Sequence, residues 1–165
     1  MRIGMLGDTH DHLPHIKKAV KVLNREAADR YLHTGDFISP FVIPVLATLA
    51  GEVSGVYGNN DGDHDLLRQR CRETGNVSIA GTFSEFHADG VRIALLHGHE
   101  GAILDVIVES GLYDVVVYGH SHRAGIAEKG PTLVINPGEV CGYLTGYSTC
   151  AMYDTERREG WIIRI

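Results

Sequence analysis

The sequence predicts an α/β fold with a largely parallel sheet, and two observations lead to this prediction. In the first half of the chain, short apolar runs typical of buried strands alternate with segments of helical periodicity. In the second half, apolar runs are separated by glycine-containing turns, which favours hairpins. Because 165 residues with 44% hydrophobic residues suffice for one sizeable core, we expect a single domain over residues 1–165.

Three strand–helix pairs account for the first half. Apolar runs predict strands over residues 2–7, 29–34 and 52–57. A first helix is predicted over residues 13–25, where apolar residues recur at helical spacing and Pro14 lies in the first turn. The other helices are predicted over residues 39–50 and 64–74, although Pro44 counts against a regular second helix.

Shorter elements fill the second half. One helix is predicted over residues 102–110, after a short glycine-containing loop. Apolar or alternating runs bounded by turn residues predict strands over residues 76–80, 82–87, 91–96, 115–118, 125–129, 132–135, 148–154 and 161–165. No repeat, linker or low-complexity stretch interrupts this pattern.

Composition and charge narrow the range of partners. The formal net charge of -6 disfavours stable nucleic-acid binding, since that binding depends on Lys and Arg neutralising phosphates. The N-terminal apolar run ends at Asp8, which is too short for a secretory signal, and no run approaches the roughly 18 apolar residues of a membrane span. Three scattered cysteines favour a reducing cytoplasm over a disulfide framework. A homo-oligomer is left open.

Residues that can bind a metal ion follow one predicted strand after another. They are Asp8, His10, Asp36, Asn59, His97, His120 and His122. Because ligands of open α/β sheets bind beyond the carboxyl ends of the strands, we expect these side chains to converge. Each motif alone is weak evidence, since Asp8 or Asp11 could cap a helix and residues 119–122 could form a solvated loop. Carboxylates and imidazoles without cysteine favour Mn, Fe, Zn or Ni, and the number of donors suits two ions.

The motifs taken together resemble those of the calcineurin-like metallophosphoesterase superfamily, in particular its small archaeal and bacterial phosphodiesterases. The resemblance is carried by D-x-H at Asp8, G-D at Asp36, G-N-x-D at Asn59, the lone His97 and G-H-x-H at His120. It implies a four-layer α/β/β/α sandwich of two mixed sheets flanked by helices. It also implies a metal-dependent phosphodiesterase, in which a hydroxide bridging two ions attacks a small phosphodiester substrate in line.

The resemblance further assigns the ligands of two divalent ions. The first ion takes Asp8, His10, Asp36 and His122. The second ion takes Asp36, Asn59, His97 and His120, so that Asp36 bridges the pair. Mn or Ni is expected, with Fe, Zn and Mg as alternatives.

Asn60 departs from the wider superfamily, which usually has histidine at this position. An amide can donate a hydrogen bond but cannot titrate, so we expect Asn60 to contact the transition state and turnover to favour aryl esters. His99 and, with less support, His12 are candidates for the missing acid, and a solvated loop is the favoured alternative for His99. Asp61 and Asp11 are expected to orient their neighbours, with helix capping as the alternative for Asp11.

Two other functions stay open at this point. The retromer subunit of similar fold is a protein-binding scaffold that also lacks this histidine, and a phosphomonoesterase would use the same donors.

Surface or satisfied core positions are expected for His15, His33, His64 and His87. Residues 136–138 are expected to form a tight turn or a substrate contact. Packing roles are expected for Tyr143, Tyr147 and Tyr153 and for the cysteines Cys71, Cys141 and Cys150.

Overall fold

The computed structural model describes all 165 residues, and its first sheet contains six strands. They are β1 (Arg2–Leu6), β2 (Arg30–His33), β3 (Glu52–Gly55), β4 (Val77–Ile79), β10 (Thr149–Asp154) and β11 (Glu159–Arg164). The spatial order is β11-β10-β1-β2-β3-β4. Strands β1 to β4 run parallel, whereas β10 is antiparallel to β1 and β11 is antiparallel to β10.

A second sheet is formed by the remaining five strands. They are β5 (Phe83–Ala88), β6 (Val91–Leu96), β7 (Val115–Val117), β8 (Gly125–Lys129) and β9 (Thr132–Asn136), in the order β5-β6-β7-β9-β8. The central strands β6, β7 and β9 are parallel, and the two edge strands are antiparallel to their neighbours. Every predicted strand is present, with ends that differ from the prediction by at most two residues.

Helices cover the outer face of each sheet. They are α1 (Leu13–Arg25), α2 (Ile43–Leu46), α3 (His64–Thr74) and α4 (Gly101–Glu109). The first three bury residues such as Ile16, Leu23 and Leu46 in one apolar cluster with the first sheet. Helix α4 packs Leu104 and Ile107 against Ala94, Leu96 and Val116 of the second sheet. A third cluster fills the space between the sheets, so the predicted four-layer sandwich is confirmed.

The predicted second helix is wrong in its length. A 3-10 turn spans Pro40–Val42, and α2 then continues only over Ile43–Leu46 instead of the predicted residues 39–50. A helix that began at residue 39 would need a hydrogen bond from residue 44 to the Pro40 carbonyl group, and Pro44 has no N–H to donate. The chain therefore restarts its helix with Pro44 in the first turn, where the missing N–H is tolerated.

None of the helices combines the length and apolar character needed to cross a membrane. The parallel strands of both sheets direct their carboxyl ends to one edge of the sandwich, which is where the predicted metal-binding residues lie.

Candidate metal centre

Seven metal-binding side chains predicted from the sequence lie in the loops that follow five parallel strands. Asp8 and His10 follow β1, Asp36 follows β2, and Asn59 follows β3 in the first sheet. His97 follows β6, and His120 and His122 follow β7 in the second sheet. The two sheets face each other, so both sets of loops meet over one edge. The structure brings all seven residues into one connected group.

Four of these residues converge closely, and we call Asp8, His10, Asp36 and His122 the inner half-site. One ligand atom from each lies within 4.8 Å of the others. His10 Nε2 lies 3.3 Å from Asp36 Oδ2, and His122 Nε2 lies 3.5 Å from Asp8 Oδ1. Asp8, Asp36 and His122 are buried, and His10 is half-buried. The arrangement places two carboxylates and two imidazoles around one point.

The inner half-site contains polar atoms that the protein itself leaves without hydrogen-bond partners. Asp8 Oδ1 and His10 Nε2 are buried and unpaired, and the nearby Thr34 Oγ1 is a third such atom. Buried polar groups are almost always hydrogen-bonded, because an unpaired one costs about 1–3 kcal/mol. A divalent cation held between the carboxylates and imidazoles satisfies both atoms at once, so this donor set fits a metal ion.

Three further residues, Asn59, His97 and His120, form what we call the outer half-site. His97 Nδ1 donates a hydrogen bond to the Thr34 carbonyl oxygen at 2.8 Å, and this contact fixes the tautomer. His97 Nε2 then faces two acceptor oxygens, Asn59 Oδ1 at 3.0 Å and Asp36 Oδ1 at 3.4 Å, so without an ion it donates to them. The His120 ring centroid lies 5.2 Å from that of His97. When Nε2 gives up this proton, it and the two oxygens are three electron-rich atoms that suit a cation.

Glu139 is a residue of the candidate site that the sequence analysis missed. Its buried carboxylate accepts a hydrogen bond from His122 Nδ1 at 2.7 Å, and four further donors, among them the backbone N–H groups of Leu144 and Thr145, bind the same carboxylate. These hydrogen bonds lower the pKa of Glu139 to about 2, against the opposing effect of burial. An ionised carboxylate can only accept, so Nδ1 of His122 carries the hydrogen and Nε2 presents its lone pair to the inner half-site.

Cys141 lies closer to the site than the sequence indicated. Its sulfur belongs to a group with the nitrogen atoms of His10 and His122 in which all ligand atoms lie within 4.8 Å. The thiol donates a hydrogen bond to Glu139 Oε2 at 3.1 Å, and burial raises its pKa to about 12. Cys141 is therefore a protonated thiol in this structure. The expectation of an ordinary packing residue was incomplete, because the backbone turn after Asn136 carries Cys141 to the metal-binding edge.

The two carboxylates of the inner half-site differ in pKa. Burial raises the pKa of Asp8 to about 6, although the imidazoles of His97 and His122 act in the opposite direction. Burial alone would also raise the pKa of Asp36, but hydrogen bonds from His97 and Asn60 hold it well below its usual range. Asp36, the residue that the two half-sites share, therefore keeps its negative charge to lower pH than Asp8.

Asn60 and Asp61 contact Asp36 from the side of the outer half-site. Asn60 donates from its backbone N–H and from Nδ2 to the Asp36 carboxylate, at 3.0 and 2.7 Å. Asp61 accepts from the backbone N–H groups of Asp36, Gly58 and Ile38, at 3.1, 2.7 and 2.8 Å. Asp61 thus joins the loops after β2 and β3. Asn60 is exposed, with its amide against the carboxylate rather than in solvent.

Asp11, His12 and His99 lie at the periphery. Asp11 accepts from the Ser39 hydroxyl at 2.6 Å, and the cap of α1 is His12, so the capping alternatives for Asp8 and Asp11 are wrong. The His12 ring packs 3.9 Å from that of His15 and 5.3 Å from that of Tyr143, away from the donors. His99 is exposed, with its ring 5.5 Å from His97 and 6.1 Å from His120, beside the outer half-site.

The other singled-out residues are mostly structural. His33 is fully buried and accepts from the Gly35 N–H, His64 stacks on Tyr57, and His87 is exposed, as expected. Asn136 forms a turn with Gly138 and also donates to the Gly119 carbonyl, so it supports the loop that carries His120. Tyr153 is buried, whereas Tyr143 and Tyr147 are exposed and do not belong to the core.

Five of the seven predicted metal-binding residues have a strained backbone. Asp8, His10, Asp36, His120 and His122 all have φ between 41° and 63°, a region that non-glycine residues rarely occupy. Each such residue costs of order 1 kcal/mol or more, which the surrounding structure must offset. Gly58 and Gly119 permit the close approach, because a side chain on either would collide with Asp36 or Asp8. The sequence motifs thus reflect backbone geometry as well as ligand chemistry.

Comparison with known proteins identifies a family and several relatives of this chain. Residues 1–158 match a family described as the calcineurin-like phosphoesterase superfamily domain. The chain is 43% identical over 159 residues to phosphodiesterase MJ0936 of Methanocaldococcus jannaschii, covering 96% of both chains. The solved structure of an archaeal phosphodiesterase is 42% identical, covers 100% of both chains and superposes with a TM-score of 0.94. Zinc-bound Vps29 of Entamoeba histolytica is 19% identical, covers 100% of this chain and 98% of that chain, and has a TM-score of 0.74, which shows the shared fold.

Proposed function

This chain belongs to the calcineurin-like phosphoesterase superfamily, and on that premise we propose that it is a phosphodiesterase that acts with two bound divalent ions. The family uses divalent metals, and the cluster at Asp8, His10, Asp36 and His122 can hold one. One observation carries the proposal. Two buried atoms that can bind a metal ion, Asp8 Oδ1 and His10 Nε2, lie 4.0 Å apart, and neither has a hydrogen-bond partner. A cation between them would satisfy both.

The ligand assignment that we propose follows the two half-sites. The inner half-site of Asp8, His10, Asp36 and His122 holds one ion. Asp36, Asn59, His97 and His120 hold the other, and Asp36 bridges them. The donors are oxygen and imidazole nitrogen, and Cys141 keeps its proton, which supports Mn or Ni, with Fe, Zn and Mg as alternatives.

Bound divalent ions supply positive charge to a phosphate and make a nucleophilic hydroxide accessible near neutral pH. The chain's own residues prepare the site for that chemistry. Glu139 holds His122 in one tautomer, and the Thr34 carbonyl does the same for His97. Asp61 holds the loops that carry Asp36 and Asn59. The substrate is proposed to be a small phosphodiester, attacked in line.

Asn60 determines which esters react well in this proposal. Its amide already donates to the Asp36 carboxylate, so a donor is available next to the place where a phosphoryl oxygen would bind. An amide cannot release a proton to a departing alkoxide, and general acid catalysis is worth typically about 10²–10⁴-fold. Diesters with aryl leaving groups, which depart as stable anions, are therefore the favoured substrates. His99 is near enough to the outer half-site to contact substrate, but its ring makes no hydrogen bond to any of the seven predicted metal-binding residues.

Hydrolysis of bis-p-nitrophenyl phosphate by the Mn²⁺-loaded protein tests the proposal. We expect turnover that falls at least 10³-fold in Asp36→Asn, which keeps the shape of the bridging residue and removes its charge. p-Nitrophenyl phosphate in parallel separates a diesterase from a monoesterase. Metal analysis of both proteins separates an enzyme from a scaffold, because a scaffold requires no full donor set. Equal rates in the two proteins would sink the proposal.

Three further predictions concern the chain as a whole. We propose that residues 1–165 act as one domain, since β10 and β11 complete the sheet that β1 begins. The cytoplasm is supported by three buried and unpaired cysteines. The net charge of -6 supports the absence of a stable nucleic-acid partner. A homo-oligomer stays a prediction, which light scattering of the purified protein tests.

A further inference from the structure

A cavity of about 360 Å³ lies beside the outer half-site, between the end of β6 and helix α4. Its apolar walls are Phe83, Leu96, Ile103 and Ile107, and the loop of residues 97–100 closes one side. Leu96 is buried, whereas Phe83 is 39% exposed and Ile103 is 50% exposed. Apolar side chains of this size are left partly in water along the cavity wall, where a bound apolar group would cover them.

The cavity is continuous with the donor set. His97 contributes to its lining and also faces Asn59 and Asp36 across the outer half-site. His99, on the same loop, also lines the cavity, and its ring centroid lies 6.1 Å from that of His120. A larger cavity of about 470 Å³ lies against the same helix next to β8 and β9, but its lining includes none of the seven donors. The smaller cavity is therefore the one that a substrate bound at the metal-binding edge can enter.

The chemical character of the lining restricts what can bind. No lysine or arginine lines the cavity, and its only carboxylate is the exposed Glu100. A second anionic group would meet the charge of Glu100 without a compensating cation. A flat neutral group would instead contact Phe83, Ile103 and Ile107 and displace water from them.

We propose that this cavity binds one ester substituent of the phosphodiester, and that the preferred substituent is aromatic and uncharged. The proposal rests on the proposed function, because it requires the phosphate of the same molecule to lie at the donor residues. It assigns to Phe83 and Ile103 a role in substrate selection, while the donors and Asn60 carry the reaction.

Competition between two diesters tests the assignment. Diphenyl phosphate and dimethyl phosphate share a phosphate, and only diphenyl phosphate carries groups that can fill the cavity. Their constants for competitive inhibition are measured on the metal-loaded protein, and the comparison with the cavity variants separates binding in the cavity from the difference in leaving group. We expect diphenyl phosphate to bind more tightly, and its advantage to fall about fivefold or more in Phe83→Ala and in Ile103→Asn. Val106→Asn is the matched control, since Val106 lies on the same helix, is 67% exposed and does not line the cavity.

A second readout does not depend on turnover. In the Mg²⁺- or Zn²⁺-loaded protein, methyl NMR signals of Ile103 and Ile107 should shift with diphenyl phosphate and not with dimethyl phosphate. An unchanged preference in both cavity variants, or absent methyl shifts, overturns the cavity assignment while diester hydrolysis stands. Absence of hydrolysis for every diester, with no methyl shifts from either compound, overturns the proposed function and this inference together.

Discussion

The inner and outer half-sites share Asp36 but are built differently. In the inner half-site, Asp8 and His122 are buried, and four ligand atoms lie within 4.8 Å of one another. Apart from the shared Asp36, only His97 is buried in the outer half-site, whereas Asn59 and His120 are exposed. The inner half-site is therefore already arranged in the metal-free protein. In the outer half-site, two exposed side chains must become ordered when an ion binds. We expect the inner ion to be held more tightly.

The supporting carboxylates differ in the same way. Glu139 binds the imidazole of His122, so it fixes a ligand directly. Asp61 binds backbone N–H groups at Asp36, Gly58 and Ile38, so it fixes the loops on which the ligands are carried. A buried carboxylate beside one histidine therefore makes a local contribution, whereas a carboxylate between two loops affects everything that those loops carry.

Among the changes that distinguish the two half-sites, the largest expected effect comes from Glu139→Gln. The amide can turn its N–H toward His122 Nδ1 and stabilise the opposite tautomer, which places a hydrogen on Nε2 where the ion requires a lone pair. We expect the affinity for the ion of the inner half-site to fall about 10–100-fold, and the affinity for the other ion to change little. Isothermal titration calorimetry with Mn²⁺ measures both affinities.

Glu128→Gln is the matched control, because Glu128 is an exposed carboxylate on β8 that makes no contact with the donors. If Glu139→Gln weakens both ions equally, the two half-sites are not independently supported, and the comparison between them is wrong.

A smaller effect is expected from Asn60→His, which changes a residue that contacts the shared Asp36 from the side of the outer half-site. An imidazole at this exposed position adds a group that can protonate a departing oxygen. We expect the rate for diesters with alkyl leaving groups to rise about tenfold or more, with little change for p-nitrophenyl esters. The ratio of kcat/KM for the two leaving groups, followed from pH 5 to 9, is the measurement. A ratio and a pH profile equal to those of the unmodified protein would show that Asn60 does not limit turnover.

A separate effect is expected on the stability of the metal-free protein, and it concerns the fully buried His33. Complete burial lowers the pKa of His33 from 6.5 to about 3, although Asp36 acts in the opposite direction. Between those values the unfolded chain binds a proton that the folded protein does not, so His33 makes the metal-free protein less stable as pH falls from 6.5 toward 3. The contribution is at most about 1.4 kcal/mol per pH unit.

Urea unfolding of metal-free protein between pH 7 and pH 4 measures this dependence. Asp8 opposes it, since its pKa is raised and its burial as a neutral acid becomes easier at low pH. The difference between the unmodified protein and His33→Gln isolates the histidine, and the exposed His87 supplies a control variant, His87→Gln. Parallel pH profiles for the two variants would show that His33 is not the origin of the acid sensitivity.

The sequence predicted that the donors lie at one edge of the sheets, because their positions depend on simple rules. Short apolar runs identify parallel strands, the carboxyl ends of such strands share an edge, and Asp8, Asp36 and His97 each come just after one. The second helix was mispredicted because Pro44 is tolerated in the first turn of a helix but not in its interior, and apolar spacing alone does not locate the first turn.

Glu139 and Cys141 could not be found by the same rules. Neither stands at a spacing that indicates a ligand, and their contacts depend on how the loop after β9 folds back on His122. One signal was present in the sequence. Residues 136–138 are typical of a tight turn, and a carboxylate directly after a turn that supports the His120 loop was a candidate for contact with that loop.

The positive φ angles at five donors have a consequence for protein engineering. At each of these positions glycine would adopt the same backbone shape at less cost, so a glycine variant removes the side chain and relieves the strain together. A more stable glycine variant would therefore say nothing about whether the side chain binds metal. Asparagine tolerates this backbone region, so at Asp8 or Asp36 it removes the charge and keeps the backbone shape.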